Sequence, residues 1–284
     1  MSYIQKKLEM KDVIDRKPNA TGLFTRVDDY AQFRLHYSPD FFQCIIQRFS
    51  LTKKSTVMDL GCATGIVSLD IAPYVGRVIA VDIGQTALDK GKSLAQEKGI
   101  DNIEWIKCDA ENILSLNKKT DLTIIADAFH FMDRRKVLKD LFAMTSNNGG
   151  VVISGLINYV KTDFFDEMRA TAPTLNTNEG EMLRISNRVA TGEWAYPFGS
   201  HDGVNAISIL QDSPFSDCEK IEIERSVPST REDISGLFYS LSTFEKYHSK
   251  FPEEFRVWLT NYLNTKTDFT QRGFETALIA YKHG

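Results

Sequence analysis

The sequence lacks the cysteine spacings that mark several common protein classes. Its four cysteines, Cys44, Cys62, Cys108 and Cys218, are far apart and include no C-x-x-C pair. This argues against a disulfide framework or a structural zinc site and favours a reduced, cytoplasmic protein. No hydrophobic run approaches the length that crosses a membrane, and the polar residues 1–17 contain no apolar signal core.

An excess of positive charge is also missing. The chain has 34 lysines and arginines against 38 aspartates and glutamates, a net charge of −4, and no long basic run. We therefore expect neither nucleic acid nor a membrane as a partner. The 284 residues suffice for one large domain with inserted caps, and no internal repeat divides them.

Apolar runs of strand length alternate with helical patterns through the first half of the chain. The runs are Val57–Leu60, Arg77–Asp82, Ile103–Lys107, Asp121–Ala126 and Val151–Leu156. This alternation predicts βαβ units and a parallel, doubly wound sheet. Before them, Ser38 and Pro39 predict the start of a helix that packs on the sheet.

The alternation stops after Asn158. Two later segments predict further strands: Glu219–Glu224 alternates charged and apolar residues, and Gly273–Tyr281 is apolar. Ser229 and Glu232 have the spacing of a capping box and predict a helix start, and Pro252 predicts the start of another helix.

Polar residues follow the predicted strands at their carboxyl ends, where open α/β sheets bind ligands. Asp82 lies about 20 residues beyond the glycine-containing turn 61–65, a position that suits hydrogen bonds from both hydroxyls of a ribose. Asp109 and Ala110, after the third strand, are placed to contact an adenine. Together they predict a pocket for an adenosine-containing cofactor.

The turn itself separates two kinds of cofactor. A nicotinamide dinucleotide favours G-x-G-x-x-G, which places a helix N-terminus against the pyrophosphate. Here the middle glycine position is Ala63 and the third is Ile66. Asp59, inside the preceding strand, would repel a pyrophosphate and would suit an ammonium or sulfonium group.

Four motifs in order, at residues 57–65, 78–82, 108–111 and 126–133, resemble those of the class I S-adenosylmethionine-dependent methyltransferases. The last strand resembles that family's antiparallel final strand. Residues 30–39 and 240–242 are similar to segments of the small-molecule trans-aconitate methyltransferase-like group. The resemblance implies an α/β fold with a doubly wound, mostly parallel seven-stranded Rossmann-like sheet, and S-adenosylmethionine as the cofactor.

We expect a single methyltransferase domain across residues 1–284. Its core would comprise about 40–157, 216–227 and 270–284, with an N-terminal lid at 1–39. Cap insertions would occupy about 158–215 and 228–268.

Cofactor contacts follow from the resemblance and from position. The residues are Tyr30, Arg34, Asp59, Gly61, Ala63, Gly65, Asp82, Ile83, Asp109, Ala110, Asp127 and Phe129. In this scheme Asp127 and Phe129 border the methionine part, and Arg34 pairs with the cofactor carboxylate. Ala63 departs from the family, which usually has glycine there, but a methyl group is small enough for binding to survive.

His130 is the candidate general base, needed if the acceptor carries a proton on the accepting atom. Five aromatic side chains are expected to contact the acceptor: Tyr37, Tyr159, Trp194, Tyr196 and Tyr239. The sequence contains no cluster of ligating residues that would predict a metal site.

The acceptor is expected to be a small molecule. The Asn/Asp-Pro-Pro-Tyr/Phe motif of amino-methylating DNA and RNA enzymes is replaced by residues 127–130, and no Pro-Cys pair of a cytosine-C5 enzyme occurs. Three alternatives stay open: a protein or RNA methyltransferase, an NAD(P)-dependent oxidoreductase, and a non-catalytic cofactor-binding protein. A monomer or homodimer is expected.

Overall fold

The structure, a computed structural model, describes residues 26–158, 206–241, 248 and 252–284. Its strands are β1 (Thr56–Leu60), β2 (Arg77–Asp82), β3 (Ile103–Lys107), β4 (Thr120–Ala126), β5 (Thr145–Asn158), β6 (Ser216–Val227) and β7 (Gln271–Tyr281). Each strand predicted from the sequence is confirmed: β2 and β3 have the predicted bounds, and the ends of the other strands differ by at most six residues.

The described helices flank these strands. They are α1 (Val27–Phe33), α2 (Pro39–Arg48), α3 (Ile66–Ile71), α4 (Gln85–Glu97), α5 (Arg134–Met144), α6 (Ala206–Gln211), α7 (Arg231–Ser240) and α8 (Pro252–Asn264). Short 3₁₀ helices cover Ala72–Tyr74, Ala110–Leu116 and Phe129–Phe131. None of the described helices combines the length and the apolar character needed to span a membrane.

All seven strands belong to one sheet in the order β3-β2-β1-β4-β5-β7-β6. Strands β1 to β5 pair in parallel, and β7 is antiparallel to both β5 and β6. This confirms the predicted α/β, doubly wound, mostly parallel Rossmann-like sheet. Strands β2 and β3 lie on one side of β1, and β4 and β5 lie on the other side. In such sheets a ligand crevice opens where the strand order reverses, here between β1 and β4.

Apolar cores cover both faces of the sheet. On one face, Phe41 and Ile45 of α2 pack with Val57, Leu122 and Ile279. On the other face, α5 and α6 pack against Met58, Ile79, Ile153 and neighbouring strand residues. Burial on both faces explains why the central strands are continuous apolar runs instead of alternating patterns.

A third apolar cluster joins α7 and α8 outside the sheet. Phe238, Phe255 and Trp258 are among its buried members, and Trp258 stacks on Tyr262 with ring centroids 5.6 Å apart. The predicted single-domain boundaries, lid and caps remain predictions, because the segments that would define them lie partly outside the described residues.

The helix caps confirm one prediction and correct another. The Ser38 hydroxyl accepts the Phe41 N–H at 3.2 Å, with Pro39 at the first position of α2. The capping box of α7 is formed by Thr230 and Asp233, one residue beyond the predicted Ser229 and Glu232. A threonine at the cap with an aspartate three residues later satisfies the same backbone donors as a serine with a glutamate. The spacing alone therefore fitted a capping box that starts at either Ser229 or Thr230.

Strand β5 begins earlier than predicted. Its pairing with β4 passes from Thr145, opposite Thr120, to Gly150, opposite Leu122. Residues 147–150 are therefore an irregularity within the strand, where Asn148 has φ of +63°.

Candidate active site

A cavity opens at the carboxyl edge of β1, β2 and β4, at the point where strand order reverses. It encloses about 690 Å³ including the solvent in its open mouth. The lining residues are Tyr30, Leu60, Gly61, Ala63, Val81, Asp82, Ile83, Cys108, Asp109, Ala110, Glu111, Ala126, Asp127, Ala128, Phe131 and Met132. Eight of the twelve predicted cofactor residues are among them.

The glycine turn, residues 61–65, forms the floor of this cavity. The N–H groups of Gly61 and Cys62 donate to the Val81 carbonyl at 2.8 and 3.0 Å, which ties the turn to β2. Gly61 has φ of +76°, and a Cβ there would lie 2.5 Å from Cβ of Ala128. Glycine is therefore required at residue 61 both by backbone conformation and by space.

Asp82 closes β2 and faces the same cavity. Its Oδ2 accepts the Ala63 N–H at 2.9 Å, and its Oδ1 accepts the Gly84 N–H at 2.7 Å. Burial raises the pKa of the Asp82 carboxyl, and the backbone N–H groups of Gly84, Ala63 and Ile83 partly oppose that rise. Because a carboxylate offers about four acceptor positions, Asp82 keeps capacity for further donors.

The segment after β3 forms the adjoining wall. The Cys108 N–H donates to the Asp82 carbonyl at 3.0 Å, which places Asp109 beside Asp82. The Asp109 carboxylate accepts the Glu111 N–H at 3.3 Å and caps the following 3₁₀ helix. A capping role and a cavity-lining role are thus combined in one residue.

Asp127 and Tyr30 lie on other walls. Asp127 follows β4 with φ of +53°, and its N–H donates to the Ser154 carbonyl at 2.9 Å. Burial raises the pKa of Tyr30; the Arg34 charge opposes the rise, and the carboxylates of Asp127 and Asp82 add to it. Tyr30 of α1 is therefore in the electrostatic field of the strand-end carboxylates, as a cover for the cavity would be.

Four predicted cofactor residues do not line the cavity. Asp59 is 1% exposed, and its Oδ2 accepts both the N–H and the hydroxyl of Ser68 at 2.9 and 2.6 Å. Phe129 lies in the core beneath α5. Arg34 Nη2 donates to the Ser240 carbonyl at 3.2 Å, and its guanidinium lies 4.8 Å from the Tyr30 ring.

Gly65, the fourth, ends the turn with φ of +79° and precedes α3. A cofactor contact by any of these four remains a prediction. For Asp59 and Phe129 the reason is that spacing assigns a residue to a strand end but does not give the direction of its side chain.

His130 lies in the 3₁₀ helix Phe129–Phe131, next to the lining residue Phe131, with ring centroids 4.0 Å apart. It does not itself line the cavity. Its role as a base remains a prediction.

Two of the five predicted acceptor residues lie elsewhere in the described structure. Tyr37 is buried and stacks on Phe41, with centroids 4.4 Å apart. Tyr239 packs edge-on against Phe255, and the Arg26 guanidinium lies 4.5 Å from its ring. Neither lines the cavity, because both aromatic rings complete apolar clusters instead. Tyr159, Trp194 and Tyr196 lie outside the described residues.

Several lining residues were not predicted. Cys108 and Glu111 flank Asp109, and Phe131 and Met132 follow β4. The strand-end rule that found Asp109 could have found Cys108 and Glu111 as well. Phe131 and Met132 read as ordinary core residues, and no sequence signal separates them from Phe129.

The lining is acidic. It carries the carboxylates of Asp82, Asp109, Glu111 and Asp127, and no lysine, arginine or histidine among the residues that the structure describes. Within that same part of the chain, no three His, Cys, Asp or Glu side chains form a metal-binding group.

Comparison with known proteins agrees with this geometry. Residues 51–198 match a family described as a methyltransferase domain. The match spans just over half of the chain, and the chain belongs to this methyltransferase domain family. The protein is accordingly an S-adenosylmethionine-dependent methyltransferase, as the resemblance implied.

Two relatives illustrate the range of similarity. The uncharacterized methyltransferase YcgJ of Bacillus subtilis is 31% identical over 132 residues, which cover 46% of this chain and 52% of that relative. An uncharacterized methyltransferase of Schizosaccharomyces pombe is 26% identical over 263 residues, 90% of this chain and 94% of its own.

Solved structures share the fold. A candidate type II methyltransferase from Anaeromyxobacter dehalogenans superposes with a TM-score of 0.54 at 16% identity, covering 88% of this chain and 98% of its own. A candidate sarcosine dimethylglycine methyltransferase from Galdieria sulphuraria gives 0.52 at 11% identity, covering 92% and 98%.

The cavity fits S-adenosylmethionine. Asp82 retains acceptor capacity for the ribose hydroxyls, and Asp109 with Ala110 would border the adenine. Four carboxylates suit a ligand that carries a sulfonium and an ammonium group. The cofactor would supply a methyl group on a sulfonium, and the lining residues would bind and orient it.

Proposed function

We propose that this methyltransferase acts on a small molecule that has no negative charge near the atom to be methylated. The observation that carries the proposal is the charge of the lining apart from Asp82 and Asp109, which would contact the cofactor: the carboxylates of Glu111 and Asp127 and, among the described residues, no cationic side chain. In a partly enclosed cavity, an anion beside these groups is repelled more strongly than in water. A neutral or cationic acceptor meets no such penalty.

The acidic lining also bears on RNA, which relatives of this chain modify. A 23S rRNA (uracil(1939)-C(5))-methyltransferase of Marinomonas is 28% identical over 38% of this chain. A malonyl-[acyl-carrier protein] O-methyltransferase is 28% identical over an equal share. RNA binding relies on cationic groups that contact phosphates, so the acidic cavity favours a small acceptor over RNA.

The finer subgroup is part of the proposal. The similarity of residues 30–39 to the trans-aconitate methyltransferase-like group supports a small-molecule enzyme of that kind. A tricarboxylate acceptor does not suit four lining carboxylates, so the similarity extends to the scaffold and not to that acceptor. A cytoplasmic location, a monomeric or homodimeric state, and the lack of nucleic-acid and membrane partners complete the proposal.

The reaction requires an in-line approach of the accepting atom to the methyl group, so holding the two together supplies much of the rate. An acceptor that carries a proton also needs a base. His130, beside Phe131 at the cavity wall, is the proposed base because an imidazole can take a proton near neutral pH.

His130→Ala tests this role. We expect turnover to fall about 100-fold or more, the usual contribution of a general base. The affinity for S-adenosylhomocysteine, measured by calorimetry, should change less than turnover. Wild-type turnover would assign His130 to a structural role.

The acceptor class can be tested with S-adenosylmethionine labelled in its methyl group. The enzyme is incubated separately with total RNA, with a protein extract and with a small-molecule extract. Label in the small-molecule fraction, on a neutral or amine compound, is the expected result. Label in RNA or protein, or on a carboxylate compound alone, would overturn the proposal.

A further inference from the structure

The two halves of the glycine turn are held in different ways. Gly61, Cys62 and Ala63 donate hydrogen bonds to the Val81 carbonyl and to Asp82. Thr64 and Gly65 have no such tie to β2. The Gly65 N–H bonds within the turn to the Cys62 carbonyl at 2.7 Å, and Gly65, the N-cap of α3, has no side chain to cap the helix. Helix α3 is hydrogen-bonded to the sheet at its third residue, where the Ser68 N–H donates to Asp59 of β1.

The indole of Trp105 occupies the space beside this second half. Trp105 lies on β3, opposite Ala80 of β2, and packs with Cys62, Ala80 and Leu88. A Cβ on Gly65 would lie 2.3 Å from Cη2 and 2.8 Å from Cζ3 of the indole. The ring edge therefore touches the turn backbone where a side chain would otherwise stand.

Helix α4 meets the same ring edge from the other side. A Cβ on Gly91 would lie 2.5 Å from Cζ3 of Trp105 and 2.8 Å from the Thr64 carbonyl oxygen. One indole thus fills the seam between the turn, β3 and α4. Because close-packed contacts transmit displacement, the ring determines where Thr64 and Gly65 can lie.

We propose that Trp105 is a positioning residue for the cofactor. It does not line the cavity. It acts through Thr64 and Gly65, holding the half of the glycine turn that has no hydrogen bonds to β2. Loss of the ring lets this half shift, and the turn then presents its backbone less well to S-adenosylmethionine.

Trp105→Leu is the direct test, with S-adenosylhomocysteine binding measured by calorimetry. We expect the dissociation constant to rise about tenfold, equivalent to about 1.4 kcal/mol. The KM for S-adenosylmethionine should rise by a similar factor, whereas kcat at saturating cofactor should stay within about twofold of the wild-type value. This pattern is expected when a mutation weakens binding equally in the ground state and the transition state. Trp105→Phe, which keeps an aromatic ring but lacks the Cη2 and Cζ3 atoms beside the turn, should have an affinity between those of Trp105→Leu and the wild type.

Trp258→Leu is the matched control, since Trp258 packs in the α7–α8 cluster. It should lower the unfolding temperature without changing S-adenosylhomocysteine affinity. Unchanged affinity in folded Trp105→Leu would overturn the proposal. So would an equal loss of affinity in Trp105→Leu and Trp258→Leu.

If Trp105→Leu does not fold, Gly91→Ala tests the same proposal in a protein that keeps the indole. Its methyl group would press on both the ring and the Thr64 carbonyl. We expect weaker S-adenosylhomocysteine binding, and a smaller loss when Gly91→Ala is combined with Trp105→Phe. Gly91→Ala with wild-type affinity, or the same loss in both backgrounds, would contradict the role of the ring.

Discussion

At the scale of single residues, Asp59 holds the start of α3 from within the sheet. It accepts the Ser68 N–H and hydroxyl in a fully buried position, which satisfies a helix N-terminal donor. Burial raises the pKa of Asp59 to about 7, although the Ser68 hydrogen bonds lower it. The carboxylate is thus neutral in the folded protein at mildly acidic pH.

The raised pKa of Asp59 predicts a pH dependence of stability. Between about pH 4, where the unfolded Asp titrates, and pH 7, the folded state binds the extra proton. Stability from this group is therefore fully present below pH 4 and is lost as the pH rises through 7.

Asp59→Asn should remove this dependence while keeping an acceptor for Ser68. Relative to the variant, the wild type should lose up to about 1.4 kcal/mol of unfolding free energy per pH unit within that window. Urea denaturation at a series of pH values measures the difference. Parallel stability curves for the two proteins would contradict the assignment.

Asp82 and Asp109 could be predicted from sequence because parallel strands bring their carboxyl ends to one edge of the sheet. Asp59 and Phe129 belong to the same motifs, but their side chains point into the protein. Tyr37, one of the predicted acceptor contacts, stacks on Phe41 within an apolar cluster. A motif predicts where a residue lies along its strand, but tertiary packing determines the direction in which its side chain points.

At the scale of elements, α1 is attached to α7. A Cβ on Gly236 would lie 2.2 Å from the Phe33 ring, so the two helices approach as closely as glycine permits. Arg34 donates to the Ser240 carbonyl at the end of α7, and Arg26 stacks over Tyr239. Tyr30, which lines the cavity, is therefore positioned by a helix outside the sheet.

Gly236→Ala should push α1 away from α7. We expect a loss of about 1–3 kcal/mol in unfolding free energy, typical of overpacking, together with weaker S-adenosylhomocysteine binding through Tyr30. Gly284→Ala is a control, since its Cβ would meet Asn147 at ordinary contact distance. Unchanged affinity for S-adenosylhomocysteine in Gly236→Ala would show that the position of α1 does not affect the cofactor site.

Strands were easier to predict than helix contacts. A strand buried on both faces leaves a continuous apolar run, whereas the approach of α1 to α7 depends on Gly236, which has no sequence signature. The cap of α7 was displaced by one residue because Ser229 and Thr230 are both good caps.

At the scale of the whole molecule, the N-terminal segment is joined to the last strand through Glu275. This residue is 0% exposed, and its Oε1 accepts the Ser38 N–H at 2.6 Å and Arg225 Nη1 at 2.7 Å. The Ser38 hydroxyl donates to Oε2, and Arg225 also donates to the His36 carbonyl. The segment between α1 and α2 is thus fixed to β6 and β7.

Glu275→Ala should destabilise the protein by about 3 kcal/mol or more, because it leaves the partly buried Arg225 without its partner. Glu275→Gln, which keeps an acceptor for Ser38, should cost less. Denaturant unfolding measures both. Equal stability of wild type and Glu275→Ala would show that this connection contributes nothing to the fold.

At the scale of the whole molecule we also infer that S-adenosylmethionine binds in the cavity at the carboxyl edge of β1, β2 and β4, with Asp82 as its ribose ligand. Asp121→Asn is a suitable control for Asp82→Asn. Asp121 accepts the Thr56 N–H at 2.8 Å, where β1 and β4 begin, at the opposite edge of the sheet.

The most direct test is calorimetric titration of S-adenosylhomocysteine into the wild type and both variants, each first checked for folding. The account predicts tight binding by the wild type and by Asp121→Asn, and a loss of about 100-fold or more in Asp82→Asn, equivalent to about 2.7 kcal/mol. Wild-type affinity in folded Asp82→Asn would contradict it.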